Sequence, residues 1–270
     1  MWPRSSRQIA FSTFLIFTAF PSFGQSPQSE QIQIAPPMRQ IQSPPKDASA
    51  EQLEKQADQL RGDKEYLDAV DYYRAALAKE PQSAKLSNKL GIAELMLERY
   101  KEAGRDFEQA IKKDRKFAEP YNNLAVVEYK RNRYRTAVKQ YKKAIELAPD
   151  NASFFSNLGA AYFARKEFEQ ASRAYAEAIR LDPEIFEHSS HTGIAAQLAS
   201  SVDRAHYYYV LAKLYAKAGD REHSLEYLRK AKEEGYKEVN DAYTAPEFAE
   251  VRKDARFAEL MKQQPPAIPE

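Results

Sequence analysis

Apolar side chains recur along residues 50 to 262 at spacings of three and four, which is the period of an amphipathic α-helix. These stretches come in pairs, and Pro81, Pro149 and Pro183 close three of the pairs. Proline lacks a backbone N–H and clashes with the preceding helical turn, so it ends a helix. The pattern therefore predicts an all-α chain of helix–turn–helix units.

The units repeat with a period of 34 residues. Four columns keep this step: alanines 69, 103, 137 and 171; alanines 76, 110, 144 and 178; the aromatics Tyr73, Phe107, Tyr141 and Tyr175; and the small residues Ala57, Gly91, Ala125 and Gly159. Small side chains let two helices approach closely, while the aromatic rings fill the space between them. Neither helix can bury its apolar face alone, so neighbouring units must stack into an α-solenoid.

The stretch NLGAAYFARKEFEQASRAYAEAIRLDP (157–183) resembles the tetratricopeptide-repeat family, with Leu158, Gly159, Tyr162 and Pro183 at the family's spacings. Residues 123–149 and 89–115 are similar to it. The resemblance implies repeats 1 to 4 over residues 50–183, a fifth repeat over 205–238 and a helical cap over 239–264. The expected fold is an α-solenoid of about five helix–turn–helix units with a C-terminal cap.

The fifth repeat begins nineteen residues later than the period requires, which predicts an insert loop over 184–204. This loop carries His188 and His191, and a metal-dependent hydrolase centred on 188–191 is the alternative from another class of function. Against it, the chain has no cysteine, P-loop, HExxH or GxSxG motif. We therefore expect a non-enzyme with no catalytic residue, no metal site and no cofactor.

The N-terminus predicts export. Arg4 and Arg7 precede an apolar run of twelve residues, Ile9 to Phe20, followed by small residues up to Gly24. This run is shorter than the ~20 residues of a membrane-spanning helix and fits a signal peptide over 1–24. Residues 25–49 are rich in proline and glutamine and predict a disordered linker. The expected location is the periplasm or the extracellular side of a bacterial envelope.

The family resemblance implies a protein or peptide partner, bound along a concave surface formed by the first helix of each repeat. Mapped onto this sequence, that surface holds Lys85, Asn88, Lys89, Asn122, Asn123, Tyr129, Lys130, Ser156, Asn157 and Phe163. An asparagine both donates and accepts hydrogen bonds, so a row of them can pair with the backbone of an extended peptide. The alternative is that these residues solvate the groove and link neighbouring helices.

Charge adds a second candidate surface. The formal net charge of +2 is too small to indicate a nucleic-acid partner. Locally, Arg135, Lys139 and Lys142 recur at helical spacing in the third repeat and form a basic stripe. A tethering surface for an anionic membrane or envelope polymer is the alternative reading of this stripe, and a solvated helix face is the favoured one.

Two acidic residues stand where the family has a bulky side chain. Glu94 and Glu128 occupy the position that Tyr162 fills in the fourth repeat. They could form an acid/base pair, but buried carboxylates are normally paired with cations. We predict partial burial with salt-bridge partners.

Overall fold

The computed structural model describes residues 43–188 and 201–262, and within them the regular structure is helical, with no strand. Four helix pairs come first: α1 (Ala50–Gly62) with α2 (Tyr66–Lys79), α3 (Ala84–Met96) with α4 (Tyr100–Lys113), α5 (Ala118–Lys130) with α6 (Tyr134–Leu147), and α7 (Ala152–Ala164) with α8 (Phe168–Leu181). A short α9 (Ile185–His188) precedes the fifth pair, α10 (Ser201–Ala218) and α11 (Arg221–Glu233). Three short 3-10 turns (Val239–Tyr243, Pro246–Phe248, Val251–Lys253) lead to α12 (Ala255–Lys262). The predicted all-α solenoid is confirmed.

The turn inside each pair contains one residue in the left-handed region. In the first four pairs these are Lys64, Glu98, Asn132 and Lys166, with φ between 57° and 65°, again 34 residues apart. In the fifth pair Gly219 takes this place with a φ of 85°. A left-handed residue after a helix satisfies the last carbonyls and redirects the chain, so that the second helix can pack back on the first.

The core of each pair is a contact between a small residue and a ring. Phe107 and Tyr175 have no exposed surface. A Cβ placed on Gly91 would lie 2.6 Å from Cε1 of Phe107, and Gly159 is similarly close to Tyr175. Glycine is therefore required at Gly91 and Gly159 by close approach, not by backbone conformation.

The two acidic residues at the bulky position are paired with cations, as predicted, and they are buried more deeply than the predicted partial burial. Glu94 is fully buried and lies 2.5 Å from Nη2 of Arg74 and 3.2 Å from Nη1 of Arg99. Glu128 is 9% exposed, with Arg131 and Arg133 at 3.7 and 3.6 Å. Because each carboxylate has two arginines, burial of the charge is compensated.

In the first four repeats, the second helix of each pair and the first helix of the next pair run antiparallel. A connection of four residues joins α2 to α3, α4 to α5, and α6 to α7. Phe154 at the start of α7 packs with Ala144 near the end of α6. A short connection allows only this antiparallel arrangement.

The fifth pair breaks this rule, because α10 runs in the same direction as α8. The start of α10 lies at the start of α8, where the rings of His206 and Phe168 are 4.4 Å apart and Asp203 pairs with Lys166. Towards the other end, the Tyr215 hydroxyl donates to the Pro183 carbonyl over 2.8 Å. The 34-residue sequence pattern did not predict this parallel arrangement of α8 and α10, which we call the reversal of α10.

The reversal explains the length of the insert. After α8 the chain must return to the other end of that helix, a distance of about 21 Å for 14 residues, before α10 begins. The segment predicted as a loop, 184–204, is also partly helical, since it contains α9 and the first residues of α10. Ile185 and Phe186 are buried, and Phe186 packs edge-on against Tyr175 and Tyr207. These apolar contacts stabilise the helical turn.

The cap is attached by cations that bind backbone carbonyls. Nζ of Lys232 donates to the carbonyls of Leu260 and Met261 over 2.7 and 2.8 Å, at the end of α12. Nη1 of Arg252 donates to the carbonyls of Ala242 and Ala245. A positive charge at a helix C-terminus satisfies carbonyls that have no partner in the helix. Phe248, Val251 and Phe257 of the cap are buried in one core with Leu228 of α11.

Replacing Gly91 by alanine should lower the free energy of unfolding. The added methyl group forces the Phe107 ring to move, at an overpacking cost of about 1–3 kcal/mol, which exceeds the gain in helix propensity of at most about 1 kcal/mol. Gly104→Ala is the matched control, because its methyl group would meet Val127 no closer than 3.8 Å. Urea unfolding should show the first variant less stable and the second more stable than the wild type. Equal changes would contradict the packing argument.

Titration of the Asp106 carboxyl should lower the free energy of unfolding as the pH rises from about 4 towards 7. Burial, and next the nearby Glu94 charge, raise its pKa from 3.8 to about 6, against the opposing effect of Arg74 and Lys113. The folded state thus binds the proton more tightly, and this stabilisation is lost as the pH passes through the folded pKa. Asp106→Asn should gain stability over the wild type as the pH rises through this range. Glu108→Gln is an exposed change on the same helix. Its free energy of unfolding, measured by urea titration at each pH, should change with pH in the same way as that of the wild type.

Candidate partner-binding surface

The first helices of repeats 1 and 2 are linked by ion pairs. Nζ of Lys89 lies 2.6 Å from Oε1 of Glu54 and 2.5 Å from Oδ2 of Asp58, and Lys85 lies 2.7 Å from Glu54. Burial raises the pKa of Glu54, but the hydrogen bonds from Lys85 and Lys89 outweigh it and hold this pKa below its ordinary value. Two of the three predicted binding lysines, Lys85 and Lys89, are therefore already engaged by carboxylates of α1.

Asparagines continue these links across repeats 2 to 4. Nδ2 of Asn123 donates to Oδ1 of Asn88 over 3.0 Å, and Nδ2 of Asn157 donates to Oδ1 of Asn122 over 3.0 Å. Within α5, Asn122 donates to Asn123 over 3.2 Å. We call this series, from Glu54 and Asp58 to Asn157, the polar seam. It crosses one surface shared by α1, α3, α5 and α7, which we call the first-helix face.

The predicted binding asparagines divide into two classes by exposure. Asn88 and Asn122 are 7% and 8% exposed, so their main contacts are with neighbouring helices. Asn123 and Asn157 are half-buried. An amide has two donors and two acceptor sites, so these two side chains keep hydrogen-bonding capacity after their contacts in the polar seam.

Two predicted residues lie inside the protein and correct the sequence-based mapping. Phe163 is 1% exposed and packs against the rings of Phe168, His206 and Tyr207. Ser156 is 5% exposed. The reversed α10 covers Phe163, so this ring belongs to the core. Lys130 is exposed and Tyr129 half-buried, with its ring edge-on to Tyr134 at 5.2 Å.

The basic stripe lies on the surface. Arg135, Lys139 and Lys142 are all exposed on α6, and Nζ of Lys142 lies 5.7 Å from the centre of the Tyr162 ring. The equivalent segment of α8 instead pairs its own charges, Arg173 with Glu169 and Arg180 with Glu177. The role of the stripe stays a prediction.

The side chains of the predicted histidine pair of the insert, His188 and His191, fall outside the described part of the structure. Among the residues that the structure does describe, no group of three or more histidine, aspartate or glutamate side chains is placed to hold a metal ion. In the same described part of the chain, no helix is both long and apolar enough to cross a membrane.

Sequence reasoning missed the carboxylates of the polar seam. Glu54 and Asp58 are four residues apart on α1, and Lys85 and Lys89 are four apart on α3. Matching acidic and basic pairs on the same face of successive first helices was the available signal, since helical residues four apart share a face.

Asn122→Ala should weaken the contact between repeats 3 and 4. It removes the acceptor of Asn157 and the donor to Asn123 at a buried position, and an unsatisfied buried polar group costs about 1–3 kcal/mol. Hydrogen exchange of α5 and α7 should accelerate, with α1 unchanged. Gln109→Ala, on the exposed side of α4, is the control. Unchanged exchange in α5 and α7 would show that the polar seam does not hold the repeats together.

Comparison with known proteins agrees with this architecture. Four family models for tetratricopeptide repeats match the chain, over residues 55–118, 127–164, 152–185 and 205–234, which together cover more than half of it. Among curated proteins, none matches the sequence significantly.

A solved structure shows the same fold. MamA from Desulfovibrio magneticus RS-1 (residues 41 to the end) is 18% identical with a TM-score of 0.50, over 76% of this chain and 100% of that one. YrrB, described as a TPR protein with an unusual peptide-binding site, is 21% identical with a TM-score of 0.48, over 73% and 93% of the two chains. Such repeats typically serve as protein-interaction modules and not as catalysts. With its 34-residue helix pairs and the four matching models, the chain belongs to the tetratricopeptide-repeat family.

Proposed function

We propose that this protein is a non-catalytic scaffold of the cell envelope, which holds an extended peptide or a partner protein along the first-helix face. The observation that carries this proposal is the polar seam. It joins the first helices of four successive repeats side by side, so that their exposed side chains form one continuous surface.

The chemistry of this surface suits a peptide backbone. Asn123 and Asn157 are half-buried and retain donors and acceptors beyond their contacts with Asn88 and Asn122. An extended peptide presents unpaired N–H and C=O groups at regular intervals. Amide side chains fixed by the polar seam lose little conformational entropy on binding, which favours association.

Lys130 and Tyr129 extend the surface at the end of α5. Lys130 is exposed and supplies a cation, while the half-buried Tyr129 supplies an aromatic wall. Lys85 and Lys89 contribute less than the sequence implied, because Glu54 and Asp58 neutralise them. The binding site is therefore centred on α5 and α7.

The envelope location rests on the sequence of the N-terminus alone. The two arginines, the short apolar run and the small residues before Gln25 have the order of a secretory signal peptide.

Photo-crosslinking from three exposed positions tests the proposal in the producing cells. A benzoylphenylalanine at Lys130 reports on the first-helix face, one at Lys139 on the basic stripe, and one at Glu108 on α4 is the control. We expect a discrete protein adduct from position 130 only. The adduct should be found in the envelope fraction, and mass spectrometry should show that the chain starts at Gln25. Adducts from position 139 alone would support the tethering alternative instead. Capture from none of the three, or a chain that starts at Met1 in the cytosol, would contradict the proposal.

A further inference from the structure

The reversed fifth repeat leaves a groove of about 830 Å³ at its junction with repeat 4 and the cap. The start of α8 supplies Phe168 and Glu169, and α10 supplies His206, Tyr209 and Lys213. The third wall is the segment before the cap, residues 236 to 247. No sequence pattern indicated this site, because it exists only when α10 runs along α8.

Two polar atoms of residues that line the groove are buried and have no hydrogen-bond partner among the described residues. They are the hydroxyl oxygen of Tyr209 and Oε2 of Glu247. Tyr209 is 5% exposed, and its ring is held between Tyr236, at 4.5 Å, and Phe248, at 5.8 Å. A buried polar group without a partner is costly, and here the two residues that carry these groups both line one cavity.

The free oxygen of Glu247 belongs to an anchored carboxylate. Its other oxygen, Oε1, lies 3.0 Å from Nζ of Lys213. Burial raises the pKa of Glu247, but the hydrogen bonds from its own backbone N–H and from Lys213 outweigh it, so the pKa lies below its ordinary value. Glu247 is thus an anion at neutral pH, with one oxygen in need of a donor.

The groove as a whole favours a cation. Its walls carry four carboxylates, Glu169, Glu238, Asp241 and Glu247, against two lysines, Lys213 and Lys217. Burial, followed by the nearby Asp241, Glu247 and Glu238, raises the pKa of Tyr209 to about 12. The phenol therefore stays neutral and retains both a donor and an acceptor.

The aromatic walls favour a flat cation. The rings of His206 and Tyr236 are stacked at 5.7 Å, and Phe168 lies edge-on to His206. A guanidinium group is planar, stacks on rings and carries five donors, whereas an ammonium is a compact, strongly hydrated charge.

We propose that this groove binds an arginine side chain of an extended peptide, with the guanidinium donating to Oε2 of Glu247 and to the hydroxyl of Tyr209. The inference rests on the proposed function, because it assumes a peptide or protein partner. It adds a specificity site outside the first-helix face, and the two sites are tested by different measurements.

The test uses the full chain and two synthetic pentapeptides. One is acetyl-Ala-Ala-Arg-Ala-Ala-amide; the other replaces arginine by citrulline, which keeps the shape and removes the charge. We expect saturable binding of the arginine peptide by calorimetry, and binding of the citrulline peptide at least about tenfold weaker, as expected for loss of a charge-assisted hydrogen bond. Equal binding of both peptides, or of neither, would overturn the proposal.

Three single variants test whether the arginine peptide binds in this groove. Glu247→Gln should weaken the arginine peptide about tenfold or more, whereas Glu250→Gln, at an exposed carboxylate paired with Lys253, should not. Tyr209→Phe should melt no lower than the wild type, because its hydroxyl has no partner to lose, yet bind the peptide several-fold more weakly. Unchanged affinity in both Tyr209→Phe and Glu247→Gln would place the arginine elsewhere. Crosslinking at Lys130 is measured independently of peptide binding, so failure of the arginine site can be distinguished from failure of the proposed function.

Discussion

The fold depends on the close approach of the two helices in each repeat, where a small residue on the first meets a ring on the second. Phe107 over Gly91 and Tyr175 over Gly159 show how little space separates them. This contact buries the ring completely but covers only one side of each helix. The remaining apolar surface must be buried by the next repeat, so packing within a pair forces pairs to stack.

Polar interactions then determine how the stacked repeats are aligned. The polar seam joins the first helices, from the carboxylates of α1 through the lysines of α3 to the asparagines of α5 and α7. On the second-helix side, Arg74 reaches the buried Glu94 of the next repeat. Hydrogen bonds and ion pairs are directional, so they fix a register that apolar packing alone leaves free. The same residues that align the repeats also build the candidate binding surface.

The insert changes the architecture without disturbing the fold of the repeats on either side. After it, α10 runs parallel to α8 instead of antiparallel, which places His206 and Tyr207 against Phe163. The first-helix face therefore ends at α7, and a different cavity opens between α8, α10 and the cap. The longer connection between repeats 4 and 5 therefore ends the first-helix face and creates the cavity in its place.

The sequence by itself determined the fold of each repeat and the paired burial of Glu94 and Glu128. These follow from local periodicity and from the cost of burying an unpaired charge, both of which can be read from residue type and spacing. It also placed Asn88, Asn122, Asn123 and Asn157 on a common face. All four link neighbouring helices, and tertiary structure decided which of them are buried and which stay half-buried, because exposure depends on the neighbouring repeat. It alone decided the direction of α10, since a long connection permits either direction while a four-residue turn permits one. For the same reason Phe163 became a core residue, and Tyr209 and Glu247, far apart in spacing and in no motif, came to line one cavity.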